Sequence, residues 1–132
     1  MTSMTVSLRS IPDTQAALGW AGGHTVVIDR PEGRAGGMGL GFNGGQMIAL
    51  AIGGCFCNDL RYMAEAMSVE IAGIAVDVTV VLEGEPLLVT SVALTARVDG
   101  EGDMGELIRR AAADSTVGNS VQRGFPVTIR QG

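Results

Sequence analysis

The chain has one histidine and two cysteines among its 132 residues, and its nine basic residues are outnumbered by fourteen acidic ones, leaving a net charge of −5. Each shortage excludes something. Nucleic-acid phosphates demand a basic stripe that this sequence lacks, and anionic membrane surfaces are disfavoured for the same reason. A single histidine beside two cysteines does not make a zinc site. The cysteines, Cys55 and Cys57, stand two apart; on a helix their side chains point about 200° from each other, so an intrachain disulfide would require unwinding. The longest apolar run, residues 47–57, falls well short of the roughly 20 residues that span a bilayer. The N-terminal residues have neither the charged start nor the apolar stretch of a signal peptide, so a cytoplasmic location is expected. Nothing in the sequence calls for a cofactor.

What is present is apolar: 46% of the residues are hydrophobic, ample for a core, and the length suits a single domain over residues 1–132. A chain this apolar is expected to cover part of its surface with a second copy. The stretch from Gly41 to Met67 organises the rest. Asn43 suits a helix N-cap, no proline interrupts residues 46–67, and beyond Asn58 apolar residues recur at three- and four-residue intervals. The first half of this helix is apolar on nearly every side and is expected to be buried; the second half is amphipathic. Gly53 and Gly54 cost about 1 kcal/mol each relative to alanine in mid-helix, which points to another backbone or helix passing close by.

In chain order, residues 5–11 alternate as a strand, residues 20–23 read as a turn, and residues 24–30 are a β-branched run closed by Pro31. Residues 34–41 hold four glycines and form an irregular loop. After the long helix, residues 74–82 and 87–98 alternate across the turn at residues 83–86, a long antiparallel hairpin. Asp103 caps a helix over residues 104–114, residues 115–124 form a short helical segment, and residues 126–130 read as a final strand beside the hairpin. The pattern is that of an α+β domain in which a sheet covers a buried helix.

Asn43-Gly44-Gly45-Gln46-Met47, followed at fixed distance by Gly53-Gly54-Cys55-Phe56, resembles the OsmC/Ohr proteins. Their central helix opens with Asn-Pro-Glu-(Gln/Glu)-Leu and carries a peroxidatic cysteine in an Ala-Ala-Cys-Phe segment. The resemblance runs from about His24 to the end. It implies an interwoven homodimer, antiparallel sheets from both chains wrapped around two packed central helices, and reduction of organic hydroperoxides through Cys55. In Ohr members an arginine from an early loop and the glutamate after Asn-Pro activate the thiol, and a second cysteine in a Cys-Pro segment resolves the oxidised sulfur. The corresponding positions here are His24, Gly45 and Ser115, so all three differ. Only the attacking sulfur is kept.

Each candidate has a plainer reading. Buried cysteine is a common small hydrophobe, and Cys55 and Cys57 can both be packing. A histidine opening a strand is usually a surface residue, although an imidazolium at His24 could stand in for the arginine. Arg30, Arg34 and Arg61 are other possible cations. Asp59, four residues after Cys55, shares its helix face, and its negative charge opposes a thiolate. Ser115 cannot form a disulfide, so an oxidised Cys55 would need an external thiol reductant. Two functions follow: a one-cysteine hydroperoxide reductase, or a non-catalytic dimer that binds a small hydrophobic molecule in its interface cleft. A pocket lined by Met38, Met47, Met63 and Met67 is a further option for an apolar ligand.

Overall fold

The computed structural model describes all 132 residues, and the protein is α+β with two antiparallel sheets and three helices. Its backbone forms two compact units, Met1–Met47 and Ile48–Gly132. No helix is long and apolar enough to cross a membrane.

In the first unit β1 (Ser7–Ser10), β2 (Ala17–Ala21) and β3 (His24–Ile28) pair antiparallel in that order. Trp20, expected in a turn, is instead a strand residue opposite Ser7 and Thr25; only Gly22 and Gly23 turn the chain. The strand escapes notice in the sequence because Gly19 interrupts it. There the side chains of Leu8, Val26 and Ile28 lie over the glycine, and β2 is held by its pairing with β1 on one side and β3 on the other. β1 is also shorter than the alternation of residues 5–11 suggests.

The glycine-rich segment after β3 returns to its start. Phe42 N–H donates to Val27 O at 2.9 Å and Asp29 N–H donates to Phe42 O at 3.0 Å. The return is so tight that a Cβ on Gly41 would lie 2.1 Å from the Val27 carbonyl oxygen, so only glycine fits. Asp29 fixes the loop between these ends. Its buried carboxylate accepts the backbone N–H groups of Arg30 (2.8 Å), Met38 (3.1 Å) and Leu40 (3.0 Å). The Leu40 bond in first place, with Met38, Arg30 and the Arg30 guanidinium adding to it, holds the carboxyl below its ordinary range despite burial.

Helix α1 (Gly44–Met67) starts with a reciprocal cap. Asn43 Oδ1 accepts Gln46 N–H at 2.9 Å while Gln46 Oε1 accepts Asn43 N–H at 3.0 Å, satisfying two donors that the first turn leaves free. In the second unit its buried stripe is Gly53, Phe56, Leu60 and Ala64, at the three- and four-residue spacing of one helix face. That stripe joins Val98, Leu107 and Ala111 in the core. Gly53 is where α1 comes closest to the sheet: a Cβ there would sit 2.8 Å from Val78 Cγ2, so its close neighbour within the chain is a strand rather than a helix. Gly54 faces open space.

The expected burial of the first half of α1 is not found within the chain: Ile48 is 37% and Leu50 is 47% exposed. The cause is geometric, because a two-stranded sheet covers one side of a helix and no more. That sheet is β4 (Ile71–Glu83) paired with β5 (Leu88–Gly100), each longer than the alternating runs that announce them. Beyond it, Asp103 caps α2 (Met104–Asp114) by accepting Glu106 N–H at 3.0 Å, and α3 (Thr116–Arg123) follows after Ser115. Residues 126–130 do not form the expected strand. Their β-branched composition suits one, but no neighbouring strand takes up their N–H and C=O groups, and Val127 and Ile129 stand 75% and 92% exposed.

Candidate functional site

α1 sets the position of every group around the sulfur. Cys55 and Asp59 are one helical turn apart on the same face, and the Cys55 thiol donates to Asp59 Oδ2 at 3.6 Å. Both side chains are half-buried. Asp59 takes part in none of the ion pairs, which join Arg30 to Asp29 and Arg109 and Arg110 to Glu106. Cys55 also lies in line with Ile48, Ala51 and Tyr62, an exposed stripe along α1. Cys57 is a free, half-buried thiol, and its i+4 neighbour is Arg61 rather than a carboxylate.

The other sequence candidates are distributed over both units. His24 is an exposed residue in the first unit, opposite Ala21 at the β2–β3 turn. Among the candidate cations, Arg30 is committed to Asp29 at 3.5 Å and to the Gln15 carbonyl at 2.5 Å. Arg61 Nη1 reaches the Ile71 carbonyl at 3.5 Å. Ser115 is buried at the α2–α3 junction, where its carbonyl accepts Asn119 N–H at 3.1 Å and its side chain makes no capping bond. No three of the histidine, cysteine and acidic side chains come together in a metal-binding arrangement.

Ser115 lines a cavity of about 560 Å³ inside the second unit, together with Ile52 and Phe56 of α1, Val92 and Leu94 of β5, Ile108 of α2 and Asn119 of α3. Its polar groups are hydroxyls and amides, and no charged side chain faces it. The methionine-lined pocket is not found: no methionine borders this cavity, Met63 and Met67 pack against the core, and Met38 is exposed. Sequence reasoning missed the cavity because one wall, Ile52 and Phe56 of α1, lies more than 30 residues before β5, α2 and α3, which form the rest. Phe56, which follows Cys55, and Ser115 are the wall residues that the sequence motifs had already singled out.

Comparison with known proteins agrees with the fold. An OsmC-like protein of Vibrio cholerae, described as of unknown function, superposes with a TM-score of 0.78 at 12% identity, covering 92% of this chain and 95% of that one. An OsmC-like protein of Mycoplasma pneumoniae gives 0.77 at 16% identity, with 92% and 88% covered. An organic hydroperoxide resistance protein of Bacillus subtilis gives 0.66 at 20% identity, with 92% and 91% covered. No curated protein matches the sequence. The profile of the OsmC-like protein family matches residues 36–130, a span that includes Asn43, Cys55 and Ser115, and the chain therefore belongs to the OsmC-like family.

Proposed function

We propose that the protein is a homodimeric, one-cysteine hydroperoxide reductase in which Cys55 is the reacting sulfur. The observation that carries this reading is the Cys55 thiol itself: half-buried, on an open face of α1, and not sealed in hydrocarbon. The sulfur attacks the terminal oxygen of an organic hydroperoxide, the O–O bond breaks, an alcohol leaves and Cys55 becomes a sulfenic acid. Ser115 occupies the place of a resolving cysteine, so a first external thiol condenses with the sulfenic acid, releasing water, and a second reduces the mixed disulfide. The relatives named for organic hydroperoxide resistance support the substrate class.

The second copy supplies what one chain leaves uncovered. Leu50 and Gly54, one turn apart on α1, form an apolar, partly side-chain-free surface suited to a crossing helix. Sedimentation is expected to give twice the protomer mass; a monomer at micromolar concentration would contradict this.

A second reading rests on the cavity beside Ser115. With about 560 Å³ and an uncharged lining it falls in the usual range for small-molecule sites, and it suits a neutral apolar ligand with Cys55 as packing. Turnover separates the two. With a small dithiol as reductant, the protein is expected to consume cumene hydroperoxide catalytically. Cys55→Ser should abolish this and Cys57→Ser should retain it. Equal rates in the native protein and Cys55→Ser would leave the binding reading.

A further inference from the structure

We infer that Asp59 is a proton relay for Cys55, taking the thiol proton as the sulfur attacks and returning it to the departing oxygen. This rests on the reading of Cys55 as the reacting sulfur. The geometry behind it is the 3.6 Å contact from the thiol to Asp59 Oδ2, made by two residues one turn apart on a continuous helix, so their separation is set by the backbone and not by a mobile loop. Within the chain the carboxylate has no competing partner: Asp59 forms no ion pair, its only side-chain hydrogen bond is the one from Cys55, and the nearby Arg61 is directed to the Ile71 carbonyl. Cys57 provides an internal contrast, since its i+4 position is Arg61 and offers no acceptor.

A carboxylate beside a thiol opposes the thiolate electrostatically, so on the sulfur alone Asp59 acts as a brake. Its contribution lies at the other end of the reaction. The S–H proton passes to Asp59 Oδ2 as the sulfur electron pair attacks the terminal oxygen of ROOH. The O–O bond breaks, and that oxygen, keeping its own hydrogen, stays on sulfur as the sulfenic acid. The alkoxide RO⁻ takes the proton from the Asp59 carboxyl and leaves as ROH, and the carboxylate is restored. Sulfur is oxidised, the peroxide is reduced, and no proton is gained or lost overall. An alkoxide is a poor leaving group, and a positioned acid that protonates it typically contributes about 10²–10⁴-fold.

The test compares leaving groups. In the full-length protein carrying Cys57→Ser, the rate of Cys55 oxidation is measured at neutral pH with tert-butyl hydroperoxide, which expels an alkoxide, and with peracetic acid, which expels a carboxylate that needs no proton. Asp59→Asn is expected to slow oxidation by the hydroperoxide by about 10²-fold. Its rate with the peracid should stay the same or rise, which also reports that the variant is folded and Cys55 accessible. Asp59→Glu should recover part of the hydroperoxide rate. An Asn variant as fast as its parent with the hydroperoxide, or slowed equally with both oxidants, would overturn the relay while leaving Cys55 as the reacting sulfur. A parent protein inert to both oxidants would overturn the reductase reading and the relay together.

Discussion

Leu107→Ala is expected to lower stability by about 2–5 kcal/mol, the range for truncating a fully buried leucine. Leu107 has no exposed surface and sits in the core with Phe56, Leu60, Ala64, Val98 and Ala111. It joins α2 to β5 and to the buried stripe of α1, so the cavity left by its removal is bordered by three elements that cannot all move inward. The melting temperature should fall by on the order of 10 °C. Leu87, 65% exposed at the turn of the hairpin, is the control: its truncation should change stability by less than about 0.5 kcal/mol. A Leu107 variant that melts within a degree or two of the parent would mean that α2 is not part of the cooperative core.

Asp29→Asn is expected to loosen the loop between β3 and α1. An amide keeps the shape, but it loses the charge that binds the Met38 and Leu40 N–H groups, and it brings a donor of its own into a cluster of donors. Hydrogen exchange at Met38 and Leu40 should lose its protection in the variant, while amides of the β4–β5 hairpin stay unchanged. The acid dependence has a definite sign. The folded carboxyl titrates below its ordinary value of 3.8, so its stabilisation is fully present above that value. As the pH falls below 3.8 toward the lower folded value, that stabilisation is lost. Loop amides of the native protein should therefore lose protection in that acidic window, and those of Asp29→Asn should show no such step. Native amides that remain protected through the window would show that Asp29 does not hold the loop.

These two residues illustrate what the chain discloses before folding. Leu107 could be read directly: with Ile108, Ala111 and Ala112 it marks the apolar face of a helix whose cap, Asp103, was also visible, and α2 lies over the expected residues. The hairpin and α1 were legible for the same reason, since periods of 2 and 3.6 residues survive in the sequence. Asp29 was not, because nothing local marks a carboxylate whose partners lie nine and eleven residues away in a glycine loop. β2 was hidden by Gly19, where pairing with β1 and β3 on both sides holds the strand. Residues 126–130 mislead in the opposite direction, since propensity describes a strand but a ladder needs a neighbour.

Around the sulfur the balance is similar. That Asp59 shares a face with Cys55 follows from helical spacing alone. That the thiol donates to it, and that Ser115 lines a cavity with Phe56, depend on rotamers and on packing between elements distant in sequence. That Ile48 and Leu50 stand exposed within the chain is not marked in the sequence, since an all-round apolar helix reads the same whether its own chain or a second copy covers it.

The most direct measurement is a single turnover of the reduced protein with one equivalent of cumene hydroperoxide in the presence of a 1,3-dione that traps sulfenic acid, followed by peptide mass spectrometry. The account predicts the adduct on Cys55, cumyl alcohol in equal amount, no Cys55–Cys57 disulfide, and loss of the adduct when a small thiol is present before the trap. Unmodified Cys55 with the hydroperoxide intact, or an adduct confined to Cys57, would contradict it.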